Sequence, residues 1–424
     1  MNARRRVFQK YVPSFLMVMV AWTVVGLSAC DNLLKVTSPG ALTAAQANNP
    51  TLAPVLEIGM LADFECAFQG YAYTSSELTN EFDGEITAAA DLLWYNHVVD
   101  LDGTSGTLSC TVSGGAFLPL QTARFDAQNL YQVVKSAPAG IVDSSEALLG
   151  TAAAYAGYSF TLLGEGFCAV TVNIGPLMTR EDAWDSAAVW FTEALAHKTS
   201  SDVHNMALVG RARAELDLGQ KASALADASQ VPVGFARMIN MSTSTVRREN
   251  QDYIQSIQNR NASVAAAYRS LTVNGVPDSR VVAVLSPLKG QDNVHQLWLQ
   301  QKYTTLTAPR VLAGWKEAQL IIAETSTGQA AVDAINKLRS SASLPLFSST
   351  DPTAIAAQVV EERRRELFLD GQRLGDLLRL GIPFPSGVTI AGAPIGPITC
   401  IPLPLTERAI NPNLRNYPLT ITPK

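Results

Sequence analysis

Histidine, cysteine and aromatic side chains are all scarce in this chain of 424 residues. The four histidines, His97, His197, His204 and His295, are scattered, with no H-E-x-x-H. Nothing in them marks a metal site or a histidine-based triad. No C-x-x-C is present, which removes the thioredoxin-like motif and the zinc ribbon. Aromatics make up 7% of the chain, a share that does not advertise a glycan-stacking surface. The formal charge is −5 and no basic footprint offsets it, so phosphate neutralisation on a nucleic acid is excluded as a role. A polybasic segment for anionic lipid is missing as well. Sustained period-two alternation is absent, which argues against an all-β fold. Gly157-x-Ser159 lacks the second glycine of a nucleophile elbow, since position 161 is Thr161. Gly164-Glu165-Gly166 mimics a dinucleotide fingerprint, but it follows a helix and reads as a helix-ending loop.

What is present begins at the N-terminus. Arg4, Arg5, Arg6 and Lys10 precede a stretch without charge from Tyr11 to Cys30, the layout of a secretory signal. Leu27-Ser28-Ala29-Cys30 resembles the bacterial lipobox, which implies acylation of the Cys30 thiol and cleavage before it. Several acyl chains anchor a protein stably without a membrane-spanning helix. The alternative is an uncleaved N-terminal anchor helix, because the apolar run is nearly long enough to span. With residues 1–29 removed, 395 residues remain and the formal charge becomes −9. Residues 30–50 read as a lipid-anchored tether, and 51–424 as one domain with halves meeting near 235/236.

Four further cysteines, Cys66, Cys110, Cys168 and Cys400, permit two disulfides in an exported protein, with three possible connectivities. Cys66 with Cys110 is the first choice, since both flank one N-terminal stretch; buried free thiols are the alternative. Candidate helices come in pairs: 145–163 with 180–198, 203–218 with 220–229, 309–326 with 328–341, and 351–369 with 371–379. Gly164, Gly219 and Gly328 punctuate three pairs, and Asp351-Pro352 opens a helix as N-cap and first residue. The stretches 64–118, 272–304 and 381–424 read as loops and short strands over a helical scaffold. The expected fold is all-α, a right-handed tetratricopeptide-like superhelix of helix pairs with an irregular loop-rich lobe.

One string carries a family likeness. Glu362-Arg363-Arg364-Arg365-Glu366-Leu367, continuing through Asp370-Gly371-Gln372-Arg373 to Asp376-Leu377-Leu378-Arg379, resembles a signature of the SusD/RagB family of outer-membrane nutrient-binding lipoproteins. Pro402-Leu403-Pro404-Leu405-Thr406-Glu407 and Asn411-Pro412-Asn413-Leu414 resemble a second mark of that family. Asp278-Ser279-Arg280-Val281, Lys302-Tyr303, the helix Glu317 to Glu324, and Gly210 to Gly219 are partial matches in preserved order. Leu374-Gly375 departs from the family, which usually carries aromatics there. The resemblance implies a SusD-like fold and a lipid-anchored outer-membrane receptor, surface-exposed. It would pass an oligosaccharide or peptide to a SusC-like, TonB-dependent transporter, without cofactor or catalysis.

Read by themselves, Glu362, Arg363, Arg364, Glu366, Arg373, Asp376 and Arg379 suggest an ion-pair network that locks the last helix pair to the scaffold. Glu361 reaches Arg365 one helical turn away, acid first, the favourable orientation. Ligand contact is expected from loop aromatics, Tyr71, Tyr73, Trp94, Tyr95 and Trp298, whose faces stack on sugar rings. Trp184, Trp190 and Trp315 are assigned to the core. Glu77, Glu81 and Glu85 read first as solvated surface, with sugar or calcium contact and glycosidase chemistry as alternatives. Two other roles compete with nutrient binding: a lipid-anchored helical scaffold for envelope assembly, and a surface glycan hydrolase using Glu77 and Glu81.

Overall fold

Alanine-rich, weakly charged sequence builds most of the scaffold, because small side chains let helices pack closely. The computed structural model describes residues 42–87, 89–98, 109–111 and 115–416. The leader and Cys30 lie outside these residues. From Asn48 onward the chain forms one unit. Its N-terminal helices are α1 (Ala53–Leu78), the short α2 (Ala89–Tyr95) and α3 (Phe117–Lys135). Four more follow: α4 (Ser145–Gly166), α5 (Arg180–Ala196), α6 (Ser201–Asp217) and α7 (Lys221–Ala228). The C-terminal set is α8 (Trp315–Thr325), α9 (Gly328–Ser341), α10 (Pro352–Glu366), α11 (Arg373–Leu380) and α12 (Leu405–Ile410).

Consecutive helices pack on one another from α3 through α7, then α7 meets α8, and α11 returns to α1 and α4. This is the all-α, tetratricopeptide-like arrangement that the paired helices suggest. The starts are chemically legible. Asp351 accepts a hydrogen bond from Thr353 N at 2.9 Å and Pro352 opens α10. Thr179 and Asp182 form a reciprocal capping box at α5. Buried α4 lies at the centre, and the Phe191 ring of α5 wedges between Gly157 and Gly210. A Cβ at those positions would come within 2.7 and 2.3 Å of that ring, so only glycine lets α4, α5 and α6 close around it.

Strands are short and paired in twos, all antiparallel. They are β1 (Phe82–Gly84) with β3 (Ala262–Val264), β2 (Ala236–Ile239) with β8 (Arg310–Gly314), β4 (Thr272–Val273) with β5 (Val276–Pro277), and β6 (Ala283–Lys289) with β7 (Gln296–Gln300). They form the loop-rich lobe over the helices, with its own core of Tyr73, Phe82, Tyr95, Tyr268, Tyr303 and Phe368. Trp184 and Trp315 are buried, and Trp190 packs against the main core.

Three expectations need correction. The stretch 64–118 is not a run of loops: α1 continues to Leu78 and α3 begins at Phe117. The segment 309–326 opens as β8 before α8, because Phe235 O accepts from Trp315 N and β2 holds the preceding residues extended. Gly164 does not end its helix, since α4 runs on to Gly166. Disulfides join Cys66 to Cys110 and Cys168 to Cys400. The second ties the C-terminal segment to the end of α4, where Cys168 N donates to Ile401 O at 3.0 Å.

Candidate functional site

The densest chemistry lies where α10 and α11 cross α6 and α8. Arg363 Nε donates to both Asp376 carboxylate oxygens at 2.9 Å and lies 3.7 Å from Glu324. Arg379 pairs with Glu324, with Asp217 at 3.1 Å and with Asp376 at 3.3 Å. From α6, Arg213 reaches Glu165 as a bidentate pair and Glu317 at 3.6 Å. On the neighbouring side Glu362 receives Arg339 Nε at 2.7 Å together with Arg280. Arg280 also grips Asp278 at 2.8 Å, and Glu366 accepts from Lys316 Nζ at 2.6 Å. Lys302 Nζ and Tyr303 Oη both donate to Asp370, at 2.7 and 2.5 Å.

These groups are mostly buried, and burial sets their proton affinities. Burial pushes the Glu317 carboxyl up to about 7, against the opposing Arg213 and Arg363 charges. Asp217 is raised well above the usual range by burial and by the negative charge of Glu165. Asp278 goes the other way: burial would raise it, but hydrogen bonds and charge from Arg280 hold it at about 2.

Of the residues expected in an ion-pair network, Arg363, Asp376 and Arg379 meet in one group, and Glu362 and Glu366 meet through Arg280 in another. Arg364 pairs with Glu361 at 2.7 Å and through it, Arg365 and Asp278 joins the Glu362 group. Arg373 makes no ion pair within 4.0 Å among the described residues, but its charge acts at longer range on Asp376 and Glu81. Glu361 does reach Arg365, at 2.6 Å. Arg213, Glu165, Asp217, Arg280 and Arg339 join without having been singled out. Only the partial motif matches at 210–219 and 278–281 pointed at three of them, Arg213, Asp217 and Arg280. Gly375 sits against Glu165: a Cβ there would lie 3.1 Å from it.

The expected ligand aromatics do not form a loop platform. Tyr71 and Tyr73 sit on α1, Trp94 and Tyr95 on α2, and all four are buried. Tyr73 and Tyr95 share a hydrogen bond between their hydroxyls at 2.5 Å, and Tyr71 packs on Phe167. Their faces are occupied by protein. Trp298 is a strand residue on β7, half-buried, with the Arg269 guanidinium 5.1 Å from its ring centre. Glu77, Glu81 and Glu85 are buried rather than solvated. Glu81 accepts a hydrogen bond from Leu369 N at 2.9 Å, and burial lifts it to about 7. Inside the core, Glu77 and Glu81 do not flank a cleft where a glycosidic bond could lie. Among the described residues no group of three or more metal-ligating side chains is placed to hold an ion. Nor is any described helix long and apolar enough to cross a membrane.

Two cavities flank the α10–α11 crossing. One, of 340 Å³, lies between β2, β8, α8 and the end of α10, with Lys302, Lys316 and Asp370 in its wall. The other, of 540 Å³, lies beside the β4–β5 hairpin, with Phe347, Gln358 and Arg365 in its wall. Both fall in the size range of small-molecule sites.

Solved structures share this architecture over most of its length. A SusD superfamily protein from Bacteroides vulgatus superposes with a TM-score of 0.69 at 16% identity, covering 87% of this chain and 99% of its own. A protein from the same organism described as a putative sugar-binding protein gives 0.66 at 15% identity, covering 85% and 96%. A SusD superfamily protein from Parabacteroides distasonis gives 0.65 at 14% identity, covering 88% and 98%. No protein-family model matches the sequence, and no curated protein does. The chain therefore has the SusD-like fold, and the resemblance seen in its motifs holds in three dimensions.

Proposed function

We propose that this chain is a SusD/RagB-type nutrient-binding lipoprotein of the outer membrane. In this reading acylation of Cys30 tethers the body to the membrane, and the body captures an oligosaccharide or peptide. It then hands that nutrient to a partner SusC-like, TonB-dependent transporter. The carrying observation is that separated motif segments, 210–219, 278–281, 302–303, 317–324 and 362–379, meet in ion pairs on α10, α11 and the turn between them or on the helices beside them, within a SusD-like fold. Relatives in fold described as a carbohydrate-binding protein and a putative sugar-binding protein support the ligand class. Ligand-driven closure would follow from unequal contacts with open and closed states. Capture needs no bond cleavage, and the burial of Glu77 and Glu81 favours binding over hydrolysis.

Native membranes supply the test. Extracted in mild detergent, the chain is expected to co-purify with a β-barrel transporter, and mass spectrometry is expected to find an acylated Cys30. A monomer with a free thiol at that position overturns the proposal.

A further inference from the structure

Two guanidiniums line the 540 Å³ cavity beside the β4–β5 hairpin, Arg339 from α9 and Arg365 from α10. Each is fixed by two of its three nitrogens. Arg339 donates from Nε to Glu362 at 2.7 Å and from Nη1 to Pro345 O at 3.2 Å, with the Phe347 ring centre 5.4 Å from its Cζ. Arg365 donates from Nε to Glu361 at 2.6 Å, and from Nη1 to Thr272 O and Asp278 at 3.0 and 3.1 Å. The remaining nitrogen of each, Nη2, has no partner among the described residues and is not sealed from solvent. Charged donors held in place like this bond an anionic oxygen about twice as strongly as neutral donors do.

Charge around the cavity is unbalanced by one. Four carboxylates, Asp278, Glu361, Glu362 and Glu366, share ion pairs with five cations, Arg280, Lys316, Arg339, Arg364 and Arg365. Of the carboxylates only Glu361 lines the cavity, and it is already claimed. Burial would raise its carboxyl, but hydrogen bonds and charge from Arg364 and Arg365 hold it below the usual range. A cation would have to take Glu361 from both arginines, and a dianion would overshoot the surplus. One negative charge balances it. Val273, Leu346 and Phe347 add apolar surface to the same wall, and Ser348 a hydroxyl.

We infer that this cavity binds the carboxylate of a small, singly charged ligand, with Arg339 and Arg365 as the donors and the uncharged body of the ligand beside Leu346 and Phe347. Its volume suits a small molecule. The inference deepens the nutrient-binding reading and rests on it: it selects an acidic sugar, or the free C-terminus of a short peptide, over a neutral glycan. Both sources present the same carboxylate, and the probes below separate them.

Ligand-observed NMR on the full chain tests this with glucuronate for the sugar acid and N-acetylleucine for the peptide end. Their neutral amides, glucuronamide and N-acetylleucinamide, and inorganic sulfate run alongside. At least one carboxylate is expected to bind at about 10 mM or below, with its amide at least about tenfold weaker. Ser348 is exposed, so Ser348→Asp cancels the surplus charge without burdening the core; it should weaken that binding by about fivefold or more. Ser348→Asn, of the same size without the charge, should change it by less than about twofold. Binding of glucuronate supports the inference with a sugar acid as source, and binding of N-acetylleucine supports it with a peptide end. No binding by either carboxylate overturns it, and so does an amide or sulfate that binds as tightly. Binding that Ser348→Asp leaves unchanged overturns the location while leaving the receptor reading intact. Transporter co-purification decides that reading separately.

Discussion

Glu81 Oε1 and the backbone N–H of Leu369 meet at 2.9 Å, joining the end of α1 to the turn between α10 and α11. Leu369 is held at φ +60°, a left-handed conformation costly for leucine. One residue pair far apart in sequence thus couples the first long helix to the last helix pair. Beside it Gly371, at φ +82°, lies so close to α1 that a Cβ would come within 2.9 Å of Ala72.

Burial raises Glu81 from 4.5 to about 7, so the folded chain holds a proton there that the unfolded chain releases. The associated stability is complete below about pH 4.5 and disappears as pH rises through about 7, amounting to roughly 3 kcal/mol. Glu317 and Glu85 are raised in the same direction, also to about 7. Thermal unfolding should therefore occur at lower temperature at pH 8 than at pH 5. Glu81→Gln, which keeps an acceptor for Leu369, should flatten that dependence. A wild-type melting temperature that climbs between pH 5 and pH 8 contradicts the assignment.

Arg363 and Arg373 separate a direct buried ion pair from a cation that acts only at longer range. Arg363→Leu leaves Asp376 without its bidentate partner and should cost about 3–5 kcal/mol. Arg373→Leu breaks no ion pair and should stay within about 1 kcal/mol. Urea titration of both variants reads the difference directly.

Trp94→Ala and Tyr71→Ala should each lose about 3–5 kcal/mol of stability, since both side chains fill the interior. A role in ligand contact alone would leave the melting temperature near that of the wild type, so calorimetry tells the two roles apart.

Cys168–Cys400 fastens the C-terminal segment across 232 residues. Cys168→Ser with Cys400→Ser should lower stability by about 2–5 kcal/mol. Non-reducing peptide mapping should find Cys66 linked to Cys110 and Cys168 to Cys400, and a different pairing would refute the arrangement.

The paired helices from α4 onward were legible because their signals are local. Asp351-Pro352 caps α10, Gly219 closes α6, and small residues recur where helices touch. The helix α1 escaped notice because its C-terminal half carries Gln69, Thr74, Ser75, Ser76 and Glu77, a polar run that reads as solvent-facing. In the folded chain these residues are buried, and Gln69 accepts from Gln251 N while Ser75 Oγ accepts from Leu374 N. Those partners stand 182 and 299 residues away, so no local pattern announces them. The loop aromatics were misplaced for the same reason, being read from a stretch taken to lack helices.

Sequence alone determined the helix pairs and the order of the motif segments, because caps and short signatures act over a few residues. Tertiary structure alone decided which charges pair and which aromatics are covered. It also decided where space remains for a ligand. Each of these depends on groups that only folding brings together, and on the loss of water around them.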